Sequence, residues 1–236
     1  MKWINTAVKS VQDIWQPLFL VSMLVDLAFL FILGFLTKPL TDKLVEYAIL
    51  IYQDMSNQHV TVLGSQYVGQ AIIVYLVLAI AVFVLSALGQ GLAWWLAKGM
   101  TGKASSIAYV KQFTKLLAPY YIVYCITYVA NEYFSLRHHI LEQVAKQSLT
   151  NVFAWAHWAI IIVLVAFAYA AFAHGKHQSW KHWKSWGRAA IVIGVVGLNV
   201  RFILRLLPMP YYLVFGIPLV LALLSWHRIA FIRLSS

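Results

Sequence analysis

Carboxylates are scarce in this sequence. Seven Asp and Glu stand against 18 Lys and Arg in 236 residues, and charged residues of both signs reach only 11%. A soluble domain carries about a quarter, so a water-facing surface of ordinary composition is excluded. So few acids also leave little material for acid–base chemistry. Cysteine is nearly absent: the lone Cys125 lies inside a hydrophobic run, where no intrachain disulfide can form, so redox compartment cannot be read from it. Nucleophile elbow, Walker loop, zincin helix and kinase signature are all missing. Gly89-Gln90-Gly91 follows no strand and opens no helix, so it reads as a kink or close helix contact rather than a nucleotide fingerprint. The short alternating segments of a membrane β-barrel do not occur. No lipidation or retention motif is visible. No small-residue cleavage site follows the first apolar run, which reads as a retained span.

What is abundant is hydrophobic sequence, at 62%. Runs of roughly twenty apolar residues match the length of helix that crosses a hydrocarbon core of about 30 Å. The expected fold is an all-α, polytopic membrane bundle in one domain. Six spans are expected at about 17–37, 71–97, 116–134, 152–173, 189–207 and 211–226. They group into three hairpin units, 1–97, 98–173 and 174–236.

Each unit opens on a basic, half-apolar entry. In Gly102–Pro119, the residues Ile107, Val110, Phe113 and Leu117 recur at helical spacing, with Lys103, Lys111 and Lys115 off that stripe. Gly175–Ala190 repeats the layout without a gap, with Trp180, Trp183, Trp186 and Ala190 as the stripe and Lys176, Lys184 and Arg188 as the cations. Residues 2–16 repeat it again, where Val8, Val11 and Trp15 keep register, Lys9 matches Lys111, and Pro17 matches Pro119. Tryptophan opposite lysine suits helices lying in the headgroup plane, so three cytoplasmic interfacial amphipathic helices are expected. Trp94-Trp95 before Lys98 reads as a further interface marker.

Basic residues collect at alternate connections. The excess after spans two, four and six, against balanced charge in the opposite loops, places both termini in the cytoplasm under the positive-inside rule. The net charge of +11 is thereby accounted for without a nucleic-acid partner. The expected partners are membrane lipids, anionic at the cytoplasmic face where each lysine adds about 1 kcal/mol, and neighbouring copies or membrane subunits. No cofactor or metal site is read from the sequence. His138 and Glu142 lie one helical turn apart, but a metal site needs three or four convergent ligands.

Ionisable residues at bilayer depth are costly and mark functional candidates. Here they are Asp26, Glu132, His157, Arg201 and Arg205. Arg201 and Arg205 share a helix face, and an ion pair between Asp26 and Arg201 is expected, with Glu132 as the rival partner near Arg205. Together they suggest a polar intramembrane cavity and a non-enzymatic, permease-like transport component. The alternative is a scaffold, trafficking or membrane-shaping protein working through its amphipathic helices. A lipid-modifying enzyme stands third.

Overall fold

The computed structural model describes residues 2–58, 61–103, 106–145, 151–176, 183–206 and 212–235. Among them all regular structure is helical. The order is α1 (Lys2–Gln12), a 3-10 turn (Asp13–Trp15), α2 (Pro17–Gln58), α3 (Val68–Met100), α4 (Ala108–Ala145), α5 (Val152–His174), α6 (Trp183–Leu206) and α7 (Ile217–Ser235). Five stretches are long and apolar enough to cross a membrane: Pro17–Asn57, Val68–Met100, Ala108–Ser135, Val152–His174 and Val214–Leu234. The fifth expected span, 189–207, falls on α6, where the apolar part is the shorter stretch Ala189–Val200.

Pro39 does not end its helix, as the expected end of the first span at residue 37 implied: it lies inside the 42-residue α2, and Pro119 lies inside the 38-residue α4. Membrane helices tolerate interior proline because neighbouring helices, hydroxyls and local adjustments of the backbone make up for the bond that proline cannot donate. The amphipathic stretch 41–55 is therefore the far end of α2, and the central basic segment is the first turns of α4. Neither forms a separate interfacial helix.

That merger moves the buried stripe by one register. Tyr109, Phe113 and Leu116 are buried, while Ile107 is exposed. The stripe packs into the bundle, where Phe113 lies against Phe172 with ring centroids 4.3 Å apart. In the third basic segment, 177–182 lies outside the described residues, and Trp183 and Lys184 already belong to α6.

α1 does stand apart as a short helix, but its bundle-facing side is the small, polar one. Ser10 and Asp13 are buried and Ala7 and Ile14 pack on the core, while Val8, Val11 and Trp15 point outward, Trp15 88% exposed. The side chain of Trp3 lies outside the described residues.

Contacts between successive helices align their ends. The Gln16 amide donates to the Met100 carbonyl at 3.2 Å, Gln112 donates to the Gly175 carbonyl, and Arg233 pairs with Asp13. The start of α2, end of α3, start of α4, end of α5 and end of α7 thus gather at one end of the bundle. α7 is the most enclosed of them: Ser225 through Ile232 are all buried. It packs on α1, α2, α3, α5 and α6.

Gly89-Gln90-Gly91 sits where α3 is crowded from three sides. A Cβ on Gly89 would lie 2.5 Å from the Phe29 ring of α2, and one on Gly91 would lie 3.1 Å from Val110 of α4. Gln90, between them, faces α7. Trp94, one turn on, is core rather than interface, edge-on to Tyr169 and Phe172.

Candidate functional site

Asp26 lies nine residues into α2, Gln90 ten before the end of α3, and Ser225 eight before Arg233 on α7. At 1.5 Å per residue all three stand about 12–15 Å from the aligned end, so the topology brings polar side chains from three helices to one depth. Asp26 and Arg228 are each 1% exposed. Arg228 Nη1 donates to Asp26 Oδ2 at 2.7 Å and Nη2 to Oδ1 at 2.6 Å, a bidentate fork. Ser225 Oγ donates to Oδ2 at 3.1 Å, and Arg228 Nη2 also donates to Gln90 Oε1 at 2.8 Å. Both carboxylate oxygens are thus occupied. Breaking a buried pair of this kind at one partner leaves the other enclosed without its counter-group.

This replaces the expected pairing of Asp26 with Arg201. The reason is packing: α7 lies against α2 and α3, whereas α6 packs chiefly on α7. By its place just after the expected span 211–226, Arg228 reads as one of the topological cations. Yet Ile229, Ala230, Phe231 and Ile232 follow it and are buried, so it interrupts an apolar run instead of closing it. That continuation was the available signal.

A second acid–arginine fork sits at the aligned end. Arg233 donates from Nε to Asp13 Oδ2 and from Nη2 to Oδ1 at 2.9 Å, and Gln16 donates to Oδ1 at 2.9 Å. It ties the turn after α1 to the end of α7. The ring of His227, next to Arg228 in the chain, stacks on Tyr169, whose hydroxyl lies 2.5 Å from Nε2.

The other expected cluster members do not join Asp26. His157 is buried near the start of α5, its ring 6.5 Å from that of Tyr128. It is 17 residues from His174, about 25 Å from the aligned end and some 12 Å further out than Asp26. Glu132 on α4 and Arg205 on α6 are exposed, and the Arg201 side chain lies outside the described residues. His157 Nδ1 and Asn131 Oδ1 are buried without a hydrogen-bond partner among the described residues. Of the basic set, Lys9, Lys103, Lys111, Lys115, Lys176 and Lys184 are exposed, and the Arg188 side chain lies outside the described residues. Lys103 Nζ reaches the Ile232 carbonyl at 3.4 Å. Partial burial, and next the Arg233 charge, lower its pKa.

Two cavities are lined by apolar and tyrosine side chains. One of about 360 Å³ lies between α3 and α4, around Phe83, Tyr121 and Cys125. The other, about 220 Å³, follows the α4–α5 seam from Leu117 and Phe172 to Tyr124 and Ile161. His138 lies 3.4 Å from Glu142, and no group of three or more His, Cys, Asp or Glu converges among the described residues. No protein-family model, curated protein or solved structure matches the chain.

Proposed function

We propose that this chain is a non-enzymatic, multi-pass membrane scaffold whose buried charges lock the bundle rather than handle a solute. The observation that carries the reading is the enclosure of Asp26: it is 1% exposed, and its two oxygens receive three donors, from Arg228 and Ser225. A carboxylate that binds and releases a proton or cation needs a route to water, and this one is enclosed. The exposed strip of Val8 and Val11 on α1 and Trp15 in the turn after it, beside Lys9, gives the scaffold its contact with the headgroup region. In this reading α6 completes a third hairpin with α7, both termini face the cytoplasm, and the basic loops meet the anionic leaflet.

A second reading, a permease-like component, draws on the α4–α5 seam. There His157 and Asn131 present unpartnered buried polar atoms beside Tyr128, and a polar solute would satisfy them.

Proteoliposomes separate the two. Vesicles carrying the chain and a trapped pH dye should leak protons and small ions no faster than protein-free vesicles. They should also show a shifted size distribution that reverts when Val8, Val11 and Trp15 are all changed to Ser. Flux above the protein-free rate that is lost in His157→Ala would replace the scaffold reading with the permease one.

A further inference from the structure

Lys98 is a buried cation with no counter-ion among the described residues. It lies in the last turn of α3 and is 7% exposed. Its Nζ stands 4.1 Å from the centroid of the Tyr109 ring. That ring is held in place by the Tyr109 hydroxyl donating to the Phe172 carbonyl at 2.6 Å. The turn after α5 closes over the amine. Gly175, at φ +71°, has no Cβ; one built there would sit 3.4 Å from Lys98 Nζ and 3.7 Å from Gln112 Nε2. The surroundings of the ammonium are thus an aromatic face, a backbone turn and a carboxamide, all neutral.

The seven acids of the chain can be placed one by one. Asp13 pairs with Arg233 and Asp26 with Arg228. Asp42 pairs with Lys38, Glu46 with Lys43, and Glu142 with His138. Asp54 accepts from the Ser65 hydroxyl near the far end of α2. Glu132 is 24 residues into α4, about 36 Å from the aligned end. None is left for Lys98. The helix C-terminus and the tyrosine face each favour a cation, but neither supplies the charge that a desolvated ammonium lacks. Lys103, a few residues on, adds a second positive charge at the same end.

The depth of Lys98 says where an anion would come from. It precedes by two residues the Met100 carbonyl that Gln16 contacts, so it stands at the bundle end where headgroups lie. The α4–α5 groove of about 220 Å³ begins at Leu117 and Phe172, one to two turns deeper than Gln112 and Gly175, and is walled by apolar and tyrosine side chains. A phosphate at the amine and a hydrocarbon chain in that groove belong to one molecule. We propose that Lys98, Gln112 and Lys103 bind the phosphate of an anionic phospholipid whose acyl chain occupies the α4–α5 groove. The assignment rests on the membrane-embedded reading and is independent of the choice between scaffold and permease.

The test is thermal unfolding of the full chain in neutral detergent micelles, followed by circular dichroism. The probes are phosphatidylglycerol, phosphatidylcholine with matched acyl chains, and inorganic phosphate. Phosphatidylglycerol at about a hundredfold excess over its Kd should raise the midpoint by roughly 5 °C, and phosphatidylcholine should not. Lys98→Met should lose that response while its lipid-free midpoint stays level or rises, because a lone buried charge has gone. Gln112→Leu, at an exposed position, should keep the parent's circular dichroism spectrum and weaken phosphatidylglycerol binding by about tenfold. Lys111→Gln, exposed on α4, should respond as the parent does. An equal response to phosphatidylcholine, or an undiminished response in Lys98→Met and Gln112→Leu, would overturn the site. Inorganic phosphate reproducing the whole shift would overturn the lipid as its source.

Discussion

A double-mutant cycle on Asp26 and Arg228 probes the centre of the bundle. Asp26→Leu leaves an enclosed guanidinium with only Gln90 as acceptor; Arg228→Met leaves an enclosed carboxylate with only Ser225 as donor. Breaking a buried pair at one partner typically costs about 3–5 kcal/mol, so the two single changes sum to about 6–10. The double change removes both charges and retains comparable volume. What remains is the loss of partners for Ser225 and Gln90, at about 1–3 kcal/mol each. The coupling energy should therefore be about 4 kcal/mol. It can be measured as reversible unfolding in mixed micelles with increasing sodium dodecyl sulfate, read by tryptophan fluorescence. Additive single changes, with coupling below about 1 kcal/mol, would refute the claim that this pair holds α7 against α2 and α3.

Other expectations are narrower. Gly89→Ala places a methyl 2.5 Å from the Phe29 ring and should destabilise by about 1–3 kcal/mol; adding Phe29→Leu should recover most of it in the same unfolding assay. Asp13→Asn should release the turn after α1 from α7, seen as faster proteolysis near Gln12 with the spans intact. Lys103 has a lowered pKa from burial and the neighbouring Arg233, so the unfolded chain binds its proton more tightly than the folded one. Stability should therefore rise with pH as that proton is lost, between the lowered folded value and the ordinary value of about 10.4, and Lys103→Gln should remove that contribution to the slope. Reporters inserted at Lys103 and after Ser236 should fall on one side of the membrane and one at Ser56 on the other; a reporter at Ser56 on the same side would break the hairpin arrangement.

Helical character at membrane scale was legible because it is written in run length and composition, which need no knowledge of partners. The position of Pro39 misled, since proline ends helices in water but not among packed neighbours. Arg228 and Trp94 misled for a common reason. Each was read from its place near the end of an apolar run, as a topological cation and an interface anchor, whereas both face inward. α1 shows the converse case: its apolar strip was visible at helical spacing, but that the small and polar side would face α7 follows only from Asp13 finding Arg233, 220 residues away. Depth matching gave Asp26 an arginine partner, but choosing among arginines required knowing which helices touch. Lys98 was passed over because a lysine at a span end is ordinary; its isolation emerges only when every acid has been placed.

Solvent access to Ser225 tests the central claim, that the polar centre of this bundle is a dry lock. With Cys125→Ala removing the native thiol, a single cysteine replaces Ser225, whose hydroxyl is fully buried against Asp26. Thiols react as thiolates, so labelling by a charged, water-soluble maleimide in proteoliposomes reports water at that point. The account predicts negligible labelling from either side of the membrane, while a Ser56→Cys control, at an exposed position, reacts freely. Labelling of position 225 at a rate near that of the control would contradict it.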